Sequence, residues 1–233
     1  MHNKITKAVT ASLMAAAMLT TTVATIAPMS VSAGQVLGEN DFTYKALPWH
    51  TCETNPAKQT FELTSDGTFH VTVKEPGGAA AGGESRWDLQ FRHRNLTFKA
   101  GHTYKIHWEV KVSRPGIQIN TKIGNIKGDE EYWNNNNAGP HGGGTWNPII
   151  TINSTEWQKF DSTWTCPQNL EGVEWAFHYG GAGANQPTPC TQSGDEIWFD
   201  NMSIEDTTGS EGDWKGGQDN LSALGVMNRD NSG

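Results

Sequence analysis

The chain has 233 residues, room for one mid-sized domain with tails, and a formal net charge of −8 at pH 7. Residues 1–33 hold two lysines and no acid, so the remainder carries 15 basic and 25 acidic residues, a net charge of −10. With no Lys/Arg cluster to offset it, such a surface repels phosphate backbones; nucleic acid is excluded as a partner and a neutral ligand fits best.

Taken in chain order, residues 1–33 read as a secretory signal: Lys4 and Lys7 precede an apolar run at 11–19, and Val31-Ser32-Ala33 offers a cleavage site before Gly34. A membrane anchor is the weaker reading, because Thr20, Thr21, Thr22 and Thr25 interrupt the run well short of the roughly 20 apolar residues a span needs. The expectation is a secreted protein with no membrane contact after cleavage, a folded module over 34–206 and a linker or tail over 207–233.

Short alternating segments between turn signals follow. Residues 68–74 place Phe69, Val71 and Val73 on one face, and residues 77–83 form a Gly/Ala loop. Residues 86–94 alternate Trp87, Leu89 and Phe91 with Asp88, Gln90, Arg92 and Arg94. Residues 104–112 turn Tyr104, Ile106, Trp108, Val110 and Val112 inward. Residues 117–123 set Gln118, Asn120 and Lys122 against an apolar face, and residues 173–179 set Glu174 and His178 against Trp175, Phe177 and Tyr179. If these three polar-faced strands are neighbours, their polar residues line one surface. Residues 129–145 read as a long irregular loop, of the kind that often carries function. The last strand, 196–205, is interrupted at Asp200-Asn201, the mark of a bulge. No segment predicts a helix of more than a turn or two. Ten Trp and 26 Gly in a chain poor in helix formers fit strands joined by polar loops. The excess of Trp points to a stacking surface for the flat C–H faces of pyranose rings.

Five motifs, in this order, resemble family 4 carbohydrate-binding modules of the kind attached to family 9 glycoside hydrolases. They are P-W-H-T-C (48–52), R-W-D-L-Q-F-R-H-R-N-L-T (86–97) with K-A-G-H-T-Y (99–104), K-I-G (122–124) before E-Y-W-N-N-N (131–136), W-A-F-H-Y-G-G (175–181), and W-F-D-N-M-S-I (198–204). The resemblance implies an all-β jelly-roll β-sandwich of two antiparallel sheets, one concave, whose groove holds a single β-1,4-glucan chain. It implies carbohydrate binding by Trp87 and Trp133 (or Tyr132) as flanking aromatics, and by Gln90, Arg92, Arg94, Asn120, Lys122, Glu174 and His178 on the floor. Parity with Leu89 and Phe91 places Trp87 in the core, whereas the resemblance places it at the rim. Trp133 sits in a polar loop without core periodicity, which points to exposure. Where some members have a tyrosine after the first strand this chain has Cys52, so Trp49, His50 or Trp146 would have to replace that platform. Trp108, Trp157, Trp164, Trp175 and Trp198 are expected in the core or at its edge. The resemblance also implies a structural calcium held by Asp41, the Gly67 backbone and Asp200, hard oxygen ligands of the type calcium takes. No catalytic cofactor is expected.

The implied activity is non-catalytic: the module targets a covalently attached cellulase to β-glucan polysaccharide. The alternatives are a jelly-roll glucanase acting itself and an adhesive cell-surface sandwich. A retaining glycosidase needs two carboxyls about 5–5.5 Å apart. Glu196 and Asp200 are four residues apart on one strand, roughly 13 Å. No G-x-S-x-G, H-E-x-x-H or phosphate loop is present. Of the three cysteines, buried thiols and a single bridge are both open readings. If the first and last strands pair antiparallel, Cys52, after the first, lies near Cys190, before the last, and these are the expected disulfide.

Overall fold

Alternation decides the architecture. In β6 (Thr103–Val112) every second residue from Tyr104 to Val112 is buried, while Lys105 faces solvent. The same period recurs in β4 (Phe69–Glu75) and β12 (Glu196–Asp206), so each offers one apolar face that must be covered. A second sheet covers it.

The computed structural model describes residues 35–40, 42, 49–134, 149–184, 186–208 and 228–230, the segments 35–40 and 228–230 as backbone. The signal-like segment 1–33, Asp41, Trp146 and most of the tail lie outside the described residues. One sheet runs β10 (Gln158–Thr165), β6, β12, β4, β3 (Lys58–Leu63), with β1 (Gln35–Asn40) paired to β12. The other runs β13 (Asn228–Asp230), β2 (His50–Glu53), β5 (Leu89–Phe98), β11 (Leu170–His178), β7 (Ile117–Gly124), β8 (Glu131–Asn134), with β9 (Ile150–Ile152) on the first half of β7. Among the described residues every strand pair is antiparallel except β13 with β2. This is the expected all-β jelly-roll sandwich. Among the described residues the helical content is two single 3-10 turns, Ala79–Ala81 and Arg86–Asp88.

Aromatic rings fill the space between the sheets. Phe91 of β5 lies 4.3 Å from Phe69 of β4 and 4.7 Å from Phe199 of β12, centroid to centroid, and Trp49 stacks on Phe91 at 4.6 Å. Burying each such side chain contributes about 1.5–3 kcal/mol, which makes this cluster the main tie between the layers.

Four expectations need correction. Residues 86–88 are not the start of a strand: Ser85 and Asp88 form a capping box around a 3-10 turn, and β5 begins at Leu89. Trp133 is not in an exposed loop. It belongs to β8, pairs with Ile123, and is 1% exposed. Trp49, a possible substitute platform, is fully buried in the core, whereas Trp157, expected in the core or at its edge, is exposed. The bridge between Cys52 and Cys190 is absent: Cys52, Cys166 and Cys190 are all buried thiols. The first strand does pair with β12, but the chain then crosses to the other sheet, so Cys52 lies in β2, opposite Gln90 of β5.

The candidate binding face

Residues that alternate with the core positions of β5, β7 and β11 point away from the first sheet. Strand register assembles them into two rows. In one, Cys52, Gln90, His178 and Asn120 lie side by side across β2, β5, β11 and β7. In the next, His50, Arg92, Ala176, Lys122 and Asn134 do the same and extend to β8. The small Ala176 leaves space over the middle strand for the long side chains of Arg92 and Lys122.

Glu174 lies beyond Ala176 on β11. It sits 3.2 Å from Arg94 Nε, 3.7 Å from Arg92 Nη1 and 3.9 Å from Lys122 Nζ. A bulge makes this possible: β5 has two residues, Arg94 and Asn95, where β11 has one, and Asn95 takes a left-handed φ of 64°. All of these charged groups are recessed; Arg92, Lys122 and Glu174 are each at most 3% exposed. Burial lowers the Lys122 pKa, with Glu174 and then Glu131 opposing the shift. Burial also drives the His178 pKa well below the usual imidazole range, and the cations Lys122, Arg86 and Arg92 push it the same way. His178 is therefore neutral, and its Nδ1 is buried with no hydrogen-bond partner in the structure. Arg92 Nε donates to His50 Nε2 at 3.1 Å, and Gln90 Nε2 donates to the Trp87 carbonyl at 2.8 Å.

One end of the rows is closed by the turn that carries Trp87. Asp88 Oδ2 accepts N–H bonds from Gly78 at 2.7 Å, Glu84 at 2.8 Å and Ser85 at 3.2 Å, which ties the Gly/Ala loop to this turn. Burial raises the Asp88 pKa against those three donors. The Arg86 carbonyl accepts from Gly180 N at 2.7 Å. Trp87 itself is half-buried; its indole N–H donates to Glu84 Oε2 at 2.6 Å, and the Arg86 guanidinium lies 5.2 Å from the ring centroid. Trp87 is thus at the edge of the polar face rather than in the core.

Seven of the nine expected sugar-contacting residues, Gln90, Arg92, Arg94, Asn120, Lys122, Glu174 and His178, come from three adjacent strands onto one face. Trp87 flanks it, and Trp133 points the other way, into the core. Neighbouring Tyr132 is buried, with its hydroxyl bonded to Glu130. Sequence reasoning missed Arg86, Glu131 and Asn134, and it named His50 only as a substitute stacking platform. Register alone brings His50 and Asn134 into the row, and register cannot be read from so short a strand as β2 or β8.

Two of the expected calcium ligands, Gly67 and Asp200, lie among the described residues. Asn40 at the end of β1 pairs with Met202, just past the β12 bulge, and Phe199 pairs with Phe69, so Asp200 lies one step from the β3–β4 turn that contains Gly67. Gly67 has a φ of 86°, and Asp200 Oδ1 accepts the Asn201 N–H at 2.8 Å. Asp41 lies outside the described residues, and among those described no three His, Cys, Asp or Glu side chains form a metal cage.

Residues 34–189 match the family model described as "Carbohydrate binding domain". A "Cellulose 1,4-beta-cellobiosidase" of Acetivibrio thermocellus is 30% identical over 160 residues, covering 61% of this chain and 16% of that relative. The chain therefore spans a small part of the relative it matches. A solved structure described as "CBM4 structure and function" is similar at 20% identity and a TM-score of 0.50, covering 68% of this chain and 86% of that one. The N-terminal cellulose-binding domain of a Cellulomonas fimi β-1,4-glucanase matches at 15% identity and a TM-score of 0.45, covering 73% and 95%.

Proposed function

Since the chain belongs to the carbohydrate-binding domain family, of the family 4 type, we propose that the polar face of its seven-stranded sheet binds a single β-1,4-glucan chain. The observation that carries this reading is the pair of register rows, which brings six polar side chains, His50, Gln90, Arg92, Asn120, Lys122 and Asn134, together around a neutral His178 whose Nδ1 lacks a partner. A buried polar atom left in that state costs about 1–3 kcal/mol, a cost recovered if neighbouring side chains shift to admit a sugar hydroxyl to it. Gln90 and Asn120 both donate and accept, Arg92 and Lys122 donate, and Glu174 accepts. Trp87 stacks against a pyranose at the edge. A handful of such bonds at about 1 kcal/mol each, with one stacked ring, gives micromolar affinity.

In this reading the module cuts nothing. It is exported by way of residues 1–33 and holds an attached cellulase on plant cell-wall glucan. A calcium held by Asp41, the Gly67 carbonyl and Asp200 pins β1 to the β12 bulge; calcium would then raise the melting temperature of the chelated protein, and an unchanged melting temperature removes the metal from the reading.

Calorimetric titration with cellohexaose, mixed-linkage β-glucan and xylan tests the binding itself. Glucan heat that is lost in Trp87→Ala and His178→Ala variants of unchanged melting temperature supports the face. No heat with any of the three sugars overturns it.

A further inference from the structure

The sheet that carries the polar face ends on two short strands, β8 and β13. β13 lies within residues 207–233, expected from the sequence to be a linker or tail, and beyond the residues 34–189 that match the family model. It pairs with β2 in parallel: Asn228 with Thr51, Arg229 with Cys52, and Asp230 with Glu53. β2 is the strand on which both register rows begin, one at Cys52 and the other at His50. Its other edge pairs with β5, where His50 lies opposite Arg92 and accepts from Arg92 Nε at 3.1 Å. Further ties reach β2 from β3: Glu53 accepts from Gln59 N at 2.7 Å, and the Cys52 carbonyl accepts from Gln59 Nε2 at 3.0 Å.

A four-residue strand makes few bonds with which to hold its register, and at a sheet edge it would present open N–H and C=O groups to any further strand. Residues 228–230 take that edge, so β2 is held from both sides. We propose that β13 is a positioning strand for the glucan site: by pairing with β2 it fixes His50 against Arg92, so that tail docking and sugar binding strengthen one another. The inference rests on the proposed sugar-binding face and adds to it a segment from outside the matched domain. The coupling is reciprocal, because a ligand that favours an ordered β2 favours a docked β13 to the same extent. Parallel pairing is slightly weaker per residue than antiparallel pairing, and β13 has three residues, so docking is held by few bonds and responds to the state of its neighbour.

The test uses proline, which removes a backbone donor. Successive N–H groups of a strand point to opposite edges, so Arg229→Pro combined with Asp230→Pro must remove one that faces β2. The matching alanine pair, Arg229→Ala with Asp230→Ala, loses the same side chains and keeps both N–H groups. Cellohexaose is titrated into each whole chain by calorimetry, and amide exchange is followed at 51–53 and 228–230. The proline pair should bind about fivefold more weakly than the alanine pair, with faster exchange at 51–53. Cellohexaose added to the original chain should slow exchange at 228–230. In a His50→Ala background the loss caused by the two prolines should shrink. Equal affinity of the proline and alanine pairs, or an undiminished loss in the His50→Ala background, overturns this inference and leaves the glucan reading intact. No binding by the original chain overturns the reading beneath it.

Discussion

The Trp133 indole donates its N–H to the Ser162 hydroxyl at 3.1 Å, a bond that runs from β8 in one sheet to β10 in the other. The ring therefore acts as a rivet between layers. Trp133→Ala should lower stability by about 3–5 kcal/mol, and Trp133→Phe, which keeps most of the buried area but loses the bond, by about 1 kcal/mol. Urea denaturation followed by circular dichroism measures both. A Trp133→Ala protein of undiminished stability that has lost only sugar affinity would return Trp133 to the binding surface.

Trp133 also shows where reading from sequence stops. The strands with five or more clean alternations, β6 above all, declared both faces, and so did the polar positions of β5, β7 and β11. Alternation fixes which side a residue faces without any knowledge of its neighbours. β8 has four residues ahead of an Asn run, too few for a period to emerge, and its polar setting imitated a loop. β2 and β3 were not read as strands, for a related reason: β2 has only four residues, and β3 is half-exposed. The Cys52–Cys190 expectation failed on topology. It depended on which sheet β2 joins, and long-range pairing has no local signature. Trp87 was ambiguous because a 3-10 turn shifts parity by ending one pattern before β5 starts another.

Glu174 is the carboxylate that three recessed cations share, so its charge has more effect than that of a surface acid. Removing one partner from a buried ionic cluster typically costs about 3–5 kcal/mol, chiefly because the cations lose their compensation. Glu174→Gln should fall in that range. Adding Lys122→Met to it should restore part of the loss, since one of the stranded charges is then gone. Chemical denaturation of the two single variants and the double variant gives the coupling; a strictly additive double variant would show that Lys122 and Glu174 do not interact.

His178 makes stability depend on pH in a defined direction. Its pKa is lower in the folded chain than the unfolded value of about 6.5, so the unfolded chain binds the extra proton. Its contribution is fully present above pH 6.5 and is lost as pH falls toward the folded pKa, at up to about 1.4 kcal/mol per pH unit. His178→Gln should remove that slope between pH 6.5 and 5. The measurement is the difference in unfolding free energy between the original and variant chains at the two ends of this window. A difference that does not change with pH would mean that His178 is solvated and titrates normally.

Asp88 is the residue on which the Trp87 edge depends, although it faces no ligand. Its Oδ2 gathers three backbone N–H groups, from Gly78, Glu84 and Ser85, at the point where the Gly/Ala loop meets the 3-10 turn. A Cβ on Gly83 would overlap that same oxygen, so the carboxylate and the glycine need each other. Asp88→Ala leaves three backbone donors unmatched, two of them buried, and should cost about 2–4 kcal/mol; Gly83→Ala should cost about 1–3 kcal/mol by pushing the carboxylate off its donors. Because both changes break the same three bonds, the double variant should lose less than the two single losses added together. Both should also weaken glucan binding through Trp87 while leaving the β5–β11–β7 register unchanged, which amide exchange on those strands would report. If glucan affinity survives in a folded Asp88→Ala protein, Trp87 either holds its position without the loop or takes no part in binding.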